Sequence, residues 1–64
     1  MNQYTQGHVK HDPETGAVAI RTGFSELDPQ LAGMAWLVAT SSMGARHSTT
    51  ELVAGWDDLF TPDD

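Results

Sequence analysis

Apolar positions fall in ones and twos along most of this chain. Only once do they run together, at Met34-Ala35-Trp36-Leu37-Val38-Ala39, which follows Gly33 and leads through Thr40 into the polar turn Ser41-Ser42-Met43-Gly44. A short apolar run bounded by turn residues reads as a buried strand, and Trp36, Leu37, Val38 and Thr40 suit a pleated surface. These three apolar residues, Trp36, Leu37 and Val38, are the expected centre of any core. A helix is the competing reading. Asp28 would cap it with Pro29 in the first turn, Leu31, Met34, Ala35 and Val38 would share a face, and Gly44 would end it. Gly33 interrupts that helix early, so the strand is preferred.

Residues 8–22 read as a β-hairpin. His8-Val9-Lys10-His11 enters the turn Asp12-Pro13-Glu14-Thr15-Gly16, and Ala17-Val18-Ala19-Ile20-Arg21-Thr22 leaves it. Pro13 presets φ for the second turn position, and Gly16 supplies the positive φ that a bulged exit needs. Val18 and Ile20 then share one face, with Ala17, Ala19 and Arg21 on the other. Residues 23–33 form a connector, from which Phe24, Leu27 and Leu31 are expected to tuck under the sheet.

After the turn at 41–44, Ala45-Arg46-His47 returns as a short strand. Ser48-Thr49-Thr50-Glu51 matches a capping box, so a short helix should run through Leu52-Val53-Ala54 and stop at Gly55. Residues 56–60 give a last strand. The expected fold is α+β and mostly β. It is a small antiparallel sheet or SH3-like partial barrel, with two hairpins and one short helix near 48–55. An N-terminal hairpin followed by two helices is the alternative. Residues 1–7 read as a flexible arm, 8–60 as a single small domain, and 61–64 as an acidic tail.

Length changes this picture. A chain of 64 residues buries only about 60% of the surface its unfolded form exposes, so it is marginal unless stapled. It has no cysteine, which removes disulfides and thiolate metal sites. A protein partner or homo-oligomer is the remaining way to gain stability. Nine acids against three bases give a net charge of −6, which repels phosphates and anionic headgroups. Direct nucleic-acid or membrane binding is therefore not expected. The polar start Met1-Asn2-Gln3-Tyr4-Thr5-Gln6-Gly7 has no signal-peptide pattern, and no run approaches the roughly 20 residues of a membrane span. The expected location is intracellular or particle-associated, without secretion by a signal peptide.

Candidate chemistry is sparse. His8, His11 and His47, with Asp12, would suit zinc by residue type, but a strand puts His8 and His11 on opposite faces. No metal and no cofactor are expected. Ser25, Ser41, Ser42 and Ser48 lie in turns or at a cap, outside any nucleophile elbow. Glu14, Glu26 and Asp28 are loop carboxylates, and the six glycines are scattered as turn formers. With little room for a pocket of about 300 Å³, neither an enzyme nor a small-molecule substrate is expected.

Partner contact is the better expectation. Trp36 and Trp56 are both candidates for the core, yet Trp is also enriched at binding hot spots, so either would serve as an anchor. Tyr4 would anchor the arm. Asp57, Asp58, Asp63 and Asp64 crowd the last eight residues without a base, as a solvated tail or as a negative patch for a basic partner. Two functions follow: a non-enzymatic protein-interaction module, or an acidic inhibitor of another protein, which in the phage setting that the resemblance below implies is a host protein, by imitating nucleic acid.

Asp12-Pro13-Glu14-Thr15-Gly16, Ala35-Trp36-Leu37-Val38 and Glu51-Leu52-Val53-Ala54-Gly55-Trp56 resemble segments of short uncharacterised proteins of actinobacteria and actinobacteriophages. The resemblance implies a phage or phage-like setting, as a binding module or virion accessory. It carries over no functional residue.

Overall fold

A computed structural model describes residues 5–42 and 44–62. The hairpin forms first along the chain. Strand β1 is Val9–His11 and β2 is Val18–Arg21. Asp12 holds the turn between them: its carboxylate accepts from the Glu14 amide and the Thr15 hydroxyl, and its carbonyl accepts from the Gly16 amide. Gly16 takes φ +79, a left-handed conformation that costs a side-chain-bearing residue about 1–2 kcal/mol.

The connector is more structured than expected. It contains a single helical turn, α1 (Phe24–Leu27), and a 3₁₀ turn at Pro29–Leu31. The Asp28 side chain accepts from the Gln30 amide with Pro29 behind it, so the capping signal is real but opens one turn only. Phe24, Leu27 and Leu31 do not tuck under the sheet; Phe24 and Leu27 are exposed and Leu31 is half-buried. The reason lies at the loop's neck. Thr22 donates its amide and its hydroxyl to the Ala35 carbonyl, which closes residues 22–35 into a loop beyond the end of the sheet.

The central apolar run is a strand, β3 (Trp36–Ala39), with β4 (Arg46–Ser48) returning beside it. The two-helix alternative is overturned by this strand, which pairs on both sides. Helix α2 spans Thr50–Val53, and β5 spans Asp57–Phe60. The predicted capping box does not form. Ser48 is held in β4 opposite Trp36, so the helix begins later, behind Thr49, without a side-chain cap.

All pairings are antiparallel, and the sheet order is β4-β3-β2-β1-β5. Element order is that of an SH3-like arrangement, but the sheet is open. Among the described residues no ladder joins β4 to β5. A bulge interrupts β5, where Val9 faces Phe60 and Lys10 faces Asp58, leaving Leu59 as the extra residue. Within residues 5–7, the Gly7 amide donates to the Arg21 carbonyl and the Thr5 carbonyl accepts from the His8 amide.

One face of the sheet carries the core. Ala17, Ala19, Trp36, Val38 and Val53 are buried, with Ala35 and Trp56 packed against them. Val53 is the buried residue of α2, so α2 lies over this inner face. The Trp36 indole N–H donates to the Thr50 hydroxyl at 3.0 Å and ties the helix to β3. Leu37, expected in the core, is half-buried, because alternation turns it to the other face. The shortest extent, 16 Å, is that of one sheet with a single covering layer.

Candidate functional site

Registers assign each side chain to a face, since residues directly opposite in a ladder point the same way. Ile20 faces Val9 on one side and Leu37 on the other; Val9 faces Phe60, and Leu37 faces His47. These five side chains form one row across all five strands, on the face away from α2. A second row, Asp57-His11-Val18-Ala39, runs beside it. Phe24 extends the first row, its ring edge-to-face with His47 at 6.1 Å. The exposures are 39% for Val18, 40% for Ile20, 49% for Phe24 and 58% for Phe60.

Charge is divided between the faces. Lys10 faces Ala19, Arg21 faces Trp36 and Arg46 faces Val38, so all three Lys and Arg residues belong to the inner face. The outer face holds His11, His47 and Asp57. Further carboxylates lie in the loops at the two ends of β2: Asp12 and Glu14 in the turn before the strand, and Glu26 and Asp28 after it, with Glu26 4.0 Å from Arg21.

The inner face has its own polar cluster where β1 meets β5. His8 and Lys10 are both buried. His8 Nε2 lies 2.8 Å from Asp58 Oδ1, and Lys10 Nζ lies 3.3 Å from the same oxygen. An ionised carboxylate only accepts, so Nε2 carries the hydrogen. Lys10 also donates to the Trp56 carbonyl at 3.1 Å, and the His8 ring meets Trp36 edge-on at 5.8 Å. The His8 hydrogen bond first, and the Lys10 one after it, hold the Asp58 carboxyl below its ordinary value of 3.8. This cluster clamps the edge strand β5 to β1.

The predicted contact residues therefore divide. Trp36 is fully buried and offers no surface. Trp56 is half-buried against the core, and its carbonyl receives Lys10. Asp58 spends its charge on His8 and Lys10, whereas Asp57 is exposed on the outer face. Tyr4, Asp63 and Asp64 lie outside the described residues. His8, His11 and His47 are not brought together, and no cluster of three or more His, Cys, Asp or Glu among the described residues has the geometry to hold a metal ion. His47 Nδ1 is buried with no hydrogen-bond partner among the described residues, and the Phe24 ring lies against its imidazole. No helix among the described residues is long and apolar enough to cross a membrane.

What residue-by-residue reading missed is the outer row itself. Val18 and Ile20 were legible as sharing a face, but which face α2 would cover was not.

The fold defines a small α+β protein, mostly β, built on a five-stranded open antiparallel sheet. No protein-family model, no curated protein and no solved structure matches the chain.

Proposed function

We propose that this chain is a non-enzymatic protein-interaction module that binds through the outer face of its sheet. One observation carries the reading. Among the large apolar side chains of the described residues only Trp36, Val38 and Val53 are buried, whereas Val18, Ile20, Phe24, Leu27, Met34, Leu52, Leu59 and Phe60 are exposed. Scattered exposed apolar groups need no explanation, but a contiguous patch marks a contact surface. Val18, Ile20, Phe24 and Phe60 form such a patch, together with Val9 and Leu37. In the setting that the resemblance implies, the partner is a larger protein of a phage particle or of its host.

Because the chain has no cysteine, a single introduced one reports one place on its surface. Ile20→Cys and Phe60→Cys sample the outer row, and Leu52→Cys on α2 samples the opposite side. Each is loaded with a photo-crosslinker and exposed to lysate of the cells that make the chain. The reading requires the same identified protein in adducts from both outer positions and none from Leu52→Cys. No adduct, or equal adducts from both sides, overturns it.

A further inference from the structure

We infer that the occupant of the outer face is a cationic amphipathic helix supplied by another protein. The inference rests on the reading above and adds the chemistry of the partner. Three features of the face lead to it. First, the contact is to a face rather than an edge. A strand laid flat on it would leave its own N–H and C=O groups unpaired, because the sheet's backbone groups point sideways into the ladders. A helix arrives with those groups already satisfied.

Second, the row from Phe60 to His47 crosses four inter-strand spacings, about 19 Å. A helix of about 13 residues covers that distance, with its apolar stripe on Val9, Ile20 and Leu37. Third, the charges are one-sided. Asp57 stands on the face, carboxylates sit at both ends of β2, and all three Lys and Arg residues register with the inner face. Glu26 already lies 4.0 Å from Arg21, so a helix whose flanks carry Lys or Arg meets opposite charge at Asp57 and at the other loop carboxylates, Asp12, Glu14 and Asp28. A second copy of this chain brings the same acids and the same net charge of −6.

The test uses two labelled peptides of about 14 residues: one of Leu and Lys patterned as an amphipathic helix, and its Leu and Glu counterpart. Fluorescence anisotropy is measured on the full chain at about 50 mM and about 500 mM salt. The Leu/Lys peptide is expected to bind, and to weaken as salt rises; the Leu/Glu peptide is not. Ile20→Lys should weaken binding about tenfold or more, and Leu52→Lys on the far side less than about twofold. Phe60→Ser, on the exposed edge, gives the same answer if Ile20→Lys disturbs folding. Asp57→Asn should weaken binding at low salt and lose its effect at high salt.

Equal binding of both peptides, or equal loss from Ile20→Lys and Leu52→Lys, overturns the inference. So does sedimentation that finds a dimer of the chain alone, strengthened by salt and abolished by Ile20→Lys. If the crosslinks still retrieve a partner on the outer face when the Leu/Lys peptide fails, the module reading stands and only the cationic helix is lost. If crosslinks and peptide both fail, both readings fall.

Discussion

Ala19 and Ile20 are neighbours in β2 that point to opposite faces, so a pair of substitutions there asks which face is the core. In the first, Ala19 becomes Leu. Ala19 has no exposed surface and opposes Val38 and Lys10, both buried. The added carbons meet filled space, and overpacking of that kind costs about 1–3 kcal/mol. In the second, Ile20 becomes Ala. Ile20 keeps 40% of its surface exposed. Full burial of such a side chain is worth about 1.5–3 kcal/mol, so six-tenths burial is worth about 1–2, and truncation that keeps the β-carbon loses about 1. Total stability at this length is about 3–10 kcal/mol, so either change is measurable. Urea melts followed by tryptophan emission give both values. Ala19→Leu should lower the midpoint further than Ile20→Ala. An Ile20→Ala loss of about 2–5 kcal/mol, the range for a fully buried aliphatic, beside a tolerated Ala19→Leu would refute the assignment of faces.

Three further outcomes are expected. Val53→Ala removes the buried contact of α2, and two lost methyl groups with a partly collapsed cavity cost about 2 kcal/mol, lowering Tm by about 8–16 °C; Leu52→Ala beside it should change Tm little, as calorimetry would show. Thr50→Val removes the hydroxyl that accepts from the Trp36 indole N–H, a loss of about 0.5–1.5 kcal/mol, read from melts and from the near-UV signal of Trp36. Asp58 has a folded carboxyl below 3.8, so its contribution is complete above that pH and fades as pH falls through the lower folded value. Wild type should therefore exceed Asp58→Asn in stability at neutral pH, and the gap should close in strong acid; a gap that is constant with pH contradicts the clamp.

Local chemistry was legible wherever a residue type has one strong use. Asp12, Pro13 and Gly16 specified the first turn, and Asp28 with Pro29 specified a cap. The choice of strand over helix at 36–39 followed from Gly33 and the β-formers beside it. The capping box failed because Ser48 had a competing use in the β4 ladder opposite Trp36, and local pattern does not report ladders. The inner cluster was illegible for a related reason. His8 and Lys10 meet Asp58 across 50 and 48 residues of chain, through a pairing that exists only once β5 crosses to the far edge. Phe24 and Leu27 misled in a simpler way. Their apolarity suggested burial, but the Thr22–Ala35 hydrogen bonds close the loop before it can pass beneath the sheet.

If the outer face takes the partner proposed for it, the energy left there makes charge the deciding term. Val18, Ile20, Phe24 and Phe60 are each about half exposed, and full burial is worth about 1.5–3 kcal/mol per side chain, so covering them yields about 3–6. An apolar partner surface contributes a similar amount, for about 6–12 in all. Association costs about 4–15 kcal/mol in lost freedom, so the apolar terms alone leave a balance near zero. At such a balance, exposed ion pairs of about 0.2–1 kcal/mol each settle the sign when several act together. A second copy adds like charge to Asp57 and to the acids flanking β2, and shifts the balance against association. A helix bearing Lys or Arg shifts it toward binding, and more so at low salt. On the proposed reading, the row of Val9, Ile20 and Leu37 would supply adhesion without preference, and Asp57 with the loop carboxylates would supply the preference.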